Sequence, residues 1–378
     1  MLKRRLFTPG PTEVPPETLA AGARPILHHR KKEFGEIYTE TVNNLKKVFV
    51  SEGEVFVFAS SGTGAMEAAV TNFTSPGDKV LVIESGKFGE RWKQLCGVFE
   101  TDVNLLECRW GSSADPAEVE KILKENPGIK AVFSTLVETS TGALHPIEEL
   151  ASVSSSAGAL LIVDAVSGLG CDRILTDEWG VDVVVSGSQK ALMTPPGLGF
   201  ICVNSRAAEV YRENNRKNYY WDLRKASKSL EKFQTPYTPS VNLIAGLLAS
   251  LESINSEGME NVWARHRNLA AGTRAGIEAM GLEIFPENPA CGLTAVKIPT
   301  PEKIGSGFVK HCQDRYGIVF AGGQADLKGK IFRIAHMGYY DELDVIKALA
   351  AVEAGLRDLG ERDVLGRGVK AALEVFTT

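Results

Sequence analysis

Short apolar runs punctuate the first half of the chain, at 55–58, 79–83, 131–135, 160–164, 181–186 and 199–203. Each is rich in β-branched or aromatic residues and bounded by glycine, proline or small polar residues, which predicts buried strands. Between the earlier runs, 64–72, 89–99, 115–125 and 147–157 read as helices. Near-continuous apolar strands alternating with helices predict an α/β fold whose mostly parallel sheet is covered on both faces.

The pattern changes after a long predicted helix at 241–254. Helices at 263–280, 301–316 and 341–359 then mix with isolated strands at 295–298 and 330–334, which predicts a smaller α+β domain. A chain of 378 residues exceeds one ordinary core, so two domains are expected. The large domain is assigned to 21–255 and the small C-terminal domain to 256–378. Residues 1–20 are assigned to an extended arm, because the prolines of Pro9-Gly10-Pro11 and Pro15-Pro16 remove donors and restrict their neighbours. The tail 361–378 reads as a last short helix without an assigned packing partner.

Composition narrows the partners. A net charge of −5 gives no electrostatic reason to expect nucleic acid or an anionic membrane. The basic clusters Lys3-Arg4-Arg5 and Arg30-Lys31-Lys32 are short and read as solvated surface. The six cysteines show no C-x-x-C pair or metal-ligand spacing, so free thiols in a reducing compartment are expected and no metal is assigned. No apolar run approaches the ~18 residues that span a bilayer. Pro9-Gly10-Pro11 interrupts the N-terminus before a signal-peptide core could form, so a cytoplasmic location is expected.

In an open parallel sheet, ligands sit beyond the carboxyl ends of the strands. Three groups fall at such ends. The turn Ser60-Ser61-Gly62-Thr63-Gly64 follows one strand and opens a helix, whose free N–H groups and dipole suit a phosphate. Small residues also cap helices for structural reasons alone. Asp164 ends a second strand, where it could equally be a turn former. Lys190 follows the run Val183-Val184-Val185-Ser186 among small neighbours that favour burial and deprotonation of its amine. A lone lysine after a strand is otherwise usually solvated. Together, in this chain order, the three meet the needs of a pyridoxal phosphate enzyme. The lysine binds the aldehyde, the aspartate keeps the ring nitrogen protonated, and the turn holds the phosphate.

These residues resemble the class V aminotransferases of pyridoxal phosphate fold type I, nearest to the alanine–glyoxylate and serine–glyoxylate (serine–pyruvate) group. The likeness covers roughly residues 5–360. It is carried by Thr8-Pro9-Gly10-Pro11, Ser61-Gly62-Thr63-Gly64, Glu138-Thr139-Ser140-Thr141-Gly142, Asp164-Ala165-Val166 and Ser186-Gly187-Ser188-Gln189-Lys190-Ala191-Leu192. The resemblance implies a large α/β/α domain and a smaller α+β domain. By the same token, Lys190 would carry the cofactor and shuttle the substrate's Cα proton. Asp164 would pair with the ring nitrogen. Ser61, Gly62, Thr63 and Gln189 would serve the phosphate, Phe88 and Val166 the two ring faces, and Thr139 the ring hydroxyl. Arg333 would clamp the substrate carboxylate, and Gly10 would line the substrate pocket.

The family also completes the phosphate site with a partner's loop, which implies a homodimer. Thr238 matches the family's threonine there. Thr235 stands where many relatives have tyrosine, with Tyr237 close by. The implied reaction is ping-pong transfer of an amino group from alanine or serine to glyoxylate or pyruvate. Aspartate- or phosphonate-type amines remain alternative donors, and Arg30 or a partner residue is open as a second carboxylate site.

Other readings account for less. A nicotinamide dehydrogenase would use Gly62-Thr63-Gly64 and Glu84, but Glu67 replaces the third glycine and Lys190 and Arg333 stay unexplained. A cysteine desulfurase needs a cysteine on the loop before Arg333, and 321–326 has none. Cys312 precedes that loop, inside a predicted helix. A non-enzymatic scaffold would have no use for both Lys190 and Asp164.

Overall fold

The computed structural model describes residues 2–214 and 216–377. In chain order the strands are β1 (Arg5–Phe7), β2 (Glu54–Phe58), β3 (Lys79–Glu84), β4 (Asp102–Glu107), β5 (Ala131–Thr135), β6 (Val137–Glu138), β7 (Ala143–Leu144), β8 (Leu160–Asp164), β9 (Val183–Gly187), β10 (Gly199–Val203), β11 (Leu293–Lys297), β12 (Ile318–Gly322) and β13 (Ile331–Ala335).

A seven-stranded sheet has the order β2-β10-β9-β8-β5-β3-β4. Only β10 runs against its neighbours, β2 and β9. The carboxyl ends of β2, β9, β8, β5 and β3 therefore share one edge. Alternation along each strand splits the core into two layers. Leu161, Val163, Val184 and Phe200 pack on one face against helices Lys32–Phe49, Ile147–Ser156 and Val241–Glu257. Leu160, Ile162, Val185 and Ile201 pack on the other, under helices Gly62–Phe73, Lys87–Val98 and Ser205–Glu213. Burial on both faces is why these strands read as unbroken apolar runs.

A second sheet, β1-β12-β13-β11, packs with helices Met259–Ala279 and Glu342–Asp358 around Phe7, Phe320, Phe332, Ile334 and Leu349. The N-terminal arm contributes β1, paired in parallel with β12, so residues 5–7 join a sheet otherwise built more than 280 positions later. β4 and β12 lie outside the predicted strands. β4 is the half-exposed edge of its sheet, so it lacks the apolar signature. The helix expected over 301–316 covers only Gly307–Tyr316. Residues 301–306 form turns instead, with Gly305 at φ +34°. Asp115 and Asp341 lie just outside their helices as caps, accepting from Ala117 N and Asp344 N.

The tail forms helix Arg367–Phe376, packed against Met259–Ala279 and Glu342–Asp358. A side chain at Gly276 would meet the Gly368 carbonyl at 2.9 Å, so this approach requires glycine. Buried Glu353 accepts the N–H groups of Gly366, Gly368 and Val369 at the helix start.

Candidate active site

β9 delivers Lys190 to the shared edge through the loop that follows it. Ser188 closes that loop, its N–H donating to Leu198 O and its hydroxyl to Pro195 O. The arm holds it from above: Thr12 N donates to Gln189 O and Thr12 Oγ1 to Lys190 O, at 3.2 and 2.9 Å. Gly10 passes directly over the lysine, where an added Cβ would lie 2.7 Å from Lys190 Cε. The proline-rich arm is thus a wall of the site.

Lys190 is 7% exposed, and its Nζ donates to Ser167 Oγ at 2.9 Å. Ser167 Oγ in turn makes a short hydrogen bond with Thr139 Oγ1. Burial holds the lysine down to about 8, opposed by the charge of Asp164 and helped by that of Arg333. Asp164, on neighbouring β8, is 4% exposed and accepts from Val166 N at 2.8 Å. Burial raises it to about 6, against the pull of the Val166 N–H and of Lys190. The Phe88 ring centroid lies 5.8 Å from Lys190 Nζ.

At the turn after β2, helix Gly62–Phe73 begins at Ser61 with no side-chain cap; Gly64 N donates back to Ser61 O, and the start of the helix suits an outside anion. Val166 packs so close that a Cβ on Gly62 would meet Val166 Cγ2 at 2.6 Å. Gln189 Oε1 is buried without a partner. Its neighbourhood is that same turn, since a Cβ on Gly187 would lie 3.2 Å from Gln189 Oε1 and 3.3 Å from Gly62 N. An uncapped helix start and a basic buried amine fit one phosphate-bearing aldehyde, and the Gln189 amide would serve the phosphate through its NH₂, since its oxygen only accepts.

Arg333 comes from β13, which lies between β12 and β11 and not at an edge, and it is 5% exposed. Its Nε and Nη2 donate to Gly322 O, and Nη1 donates to Thr139 O at 2.7 Å. Of the five guanidinium hydrogens, two remain, one on each terminal nitrogen, a pair suited to a carboxylate. The second sheet thus reaches the Lys190 site through Thr139 and Ser167.

The class V aminotransferase model matches residues 6–335. The chain belongs to the class V aminotransferases. An uncharacterized aminotransferase of Methanocaldococcus jannaschii is 45% identical over 99% of this chain and 98% of its own. The soluble hydrogenase 42 kDa subunit of Anabaena cylindrica is 39% identical, covering 99% of each. A serine–glyoxylate aminotransferase of Hyphomicrobium methylovorum is 38% identical over 98% of this chain and 94% of its own. Among solved structures, ureidoglycine–glyoxylate aminotransferase of Bacillus subtilis superposes with a TM-score of 0.93 at 30% identity, covering 100% and 99% of the two chains.

Within this aminotransferase one chain gathers Gly10, Gly62, Phe88, Thr139, Asp164, Val166, Gln189, Lys190 and Arg333. Thr63 sits beside them, accepting from Arg91 at 3.3 Å. Thr238 does not join them: it is exposed and lines a cleft with Phe58, Ala59 and Tyr220. Thr235 Oγ1 donates to Tyr237 O, and Tyr237 Oη donates to Tyr219 O, so both hydroxyls serve their own chain. Arg30 is likewise committed, to Gln234 Oε1, Thr235 O and Pro236 O.

The rival readings find different uses for their residues. Glu84 pairs with Lys93, and Glu67 accepts from Trp221 Nε1. Cys312 is buried with Sγ facing Ala351 O, and its pKa is pushed up to about 12. Sequence reasoning missed Ser167, Arg91 and Thr12. Each follows or faces a recognised motif, but its contact depends on segments distant in the chain.

Proposed function

We propose that the protein is a pyridoxal phosphate-dependent transaminase of small amino acids. It would transfer the amino group of alanine or serine to glyoxylate or pyruvate, giving the corresponding oxo acid and glycine or alanine. The observation that carries this reading is the buried Lys190 amine at the end of β9, flanked by Asp164 from β8 and faced by Arg333 from the second sheet.

When bound, pyridoxal phosphate supplies an aldehyde for amines and a ring that accepts electrons. Lys190 would hold it through Nζ, Asp164 would face its ring nitrogen, and Phe88 and Val166 would enclose its ring. Gly62, Thr63, Ser61 and Gln189 would hold its phosphate, with Arg91 adding positive charge beside Thr63. Arg333 orients the incoming amino acid by its carboxylate, which brings Cα toward Lys190. Lys190, its pKa lowered by burial, takes the Cα proton and returns it on the other side of the exchange. Ser167 receives the lysine amine by hydrogen bond whenever that amine is free.

A small donor is supported by Arg30, whose guanidinium is occupied by 234–236 and not offered to a second substrate carboxylate. The exposed Thr238 supports a homodimer in which a partner's loop completes the phosphate end. No helix among the described residues is long and apolar enough to cross a membrane.

Borohydride reduction of the cofactor-loaded protein, followed by peptide mapping, should label Lys190. Incubation of L-serine or L-alanine with glyoxylate should then yield glycine and the matching oxo acid. A label on another peptide, or no amino-group transfer from either donor to glyoxylate or from serine to pyruvate, refutes the proposal.

A further inference from the structure

Helix Lys87–Val98 carries Phe88, yet its own N-cap, Gly86, offers no side chain. The opening N–H groups are satisfied from elsewhere. Glu138 Oε2, on β6, accepts from Phe88 N and Gly89 N, both at 3.0 Å. Glu138 Oε1 accepts from Ser140 N at 3.0 Å and from Ser140 Oγ at 2.6 Å. The Ser140 hydroxyl also accepts from Lys87 N at 3.1 Å. A carboxylate with no exposed surface thereby receives four donors.

The surroundings leave it no other position. A Cβ on Gly86 would lie 2.6 Å from Glu138 Cδ, and one on Gly89 would lie 2.7 Å from the Ile83 carbonyl. The residue immediately after β6 is Thr139, whose hydroxyl meets Ser167 and whose carbonyl takes Arg333. Glu138 is also the charge that opposes burial of the Arg333 guanidinium.

We propose that Glu138 is a positioning residue, a cap supplied from a distant segment of the same chain that locks the aromatic platform of Phe88 and the Thr139 loop at one fixed spacing. This deepens the proposed function, since it rests on Phe88 and Thr139 serving the cofactor ring. Only a carboxylate meets the geometry. Glutamine has one acceptor oxygen, and its NH₂ would point at N–H donors on one side or the other. Burial raises the Glu138 carboxyl, and the four donors counter that rise.

Hydrogen–deuterium exchange on the cofactor-free protein tests the cap without assuming any chemistry. In Glu138→Gln, amides at 86–91 and 138–142 should exchange about tenfold faster or more, while distant helices stay at wild-type rates. Equilibrium dialysis with pyridoxal phosphate should show affinity weakened about tenfold. Wild-type exchange in both segments overturns the proposal. So does uniform acceleration across the chain, which marks a merely structural role. Should Glu138→Gln fail to fold, Ser140→Ala decides: faster exchange at 86–91 supports the cap, and unchanged exchange overturns it. Failure of the wild-type protein to bind pyridoxal phosphate would instead sink the functional reading and leave the cap standing.

Discussion

In the cofactor-free protein the Lys190 amine should titrate near pH 8, against an ordinary lysine value of 10.5. The structural cause is burial of the ammonium, only partly offset by Asp164. At pH 7 a group titrating at about 8 is roughly 10% free base, where an ordinary lysine is about 0.03%, a gain of about 300-fold. Covalent capture of pyridoxal phosphate needs the free base. Its rate, followed by absorbance after mixing, should therefore rise with pH, reach half its plateau near pH 8 and level off above. Asp164→Asn removes the charge that raises the lysine, so the midpoint should move lower still.

The same shift has a signed consequence for stability. Between pH 8 and 10.5 the unfolded chain carries a proton that folded Lys190 has released, so the free energy of unfolding, and with it stability, should rise with pH across that window. The size is roughly 3 kcal/mol, and Lys190→Met should lack the rise in denaturant titrations at both ends. A capture midpoint near 10.5, an upward shift in Asp164→Asn, or equal pH dependence in the methionine variant would refute the argument.

Arg333→Ala should raise the donor KM by a factor matching about 2–5 kcal/mol, with kcat less affected, since a desolvated charge pair is lost. Steady-state kinetics across several donors checks this, and a change confined to kcat would contradict it. Gly10→Ala should cut kcat/KM at least about tenfold and lower the melting temperature as well. A φ of +127° strains any L side chain, and the 2.7 Å approach to Lys190 Cε directs the clash at the lysine stem that carries the amine. Glu353→Ala orphans the N–H groups of Gly366, Gly368 and Val369, so the tail helix should loosen by about 1–3 kcal/mol. Limited proteolysis should then clip near residue 366 with transaminase rates unchanged.

The seven-stranded sheet was legible in the sequence wherever a strand is buried on both faces. Apolar runs such as 131–135, 160–164 and 199–203 match their strands residue for residue. Two-sided burial leaves no solvent-facing position in these strands to blur the pattern. The turn at Gly62, Asp164 and Lys190 were legible for a related reason: each is a polar group at the end of such a run. The half-exposed β4, by contrast, left no signature.

What tertiary structure alone decided is the company these residues keep. β1 pairs with β12 across most of the chain's length, and that register carries Gly10 and Thr12 over Lys190. Arg333 reaches Thr139 from the second sheet, and Glu138 caps a helix begun fifty residues earlier. Periodicity reports whether a side chain faces a core, because burial follows local alternation. Which donor meets which acceptor depends on how separate layers dock. In that docking, buried polar groups find partners far along the chain, and no local pattern encodes the distance.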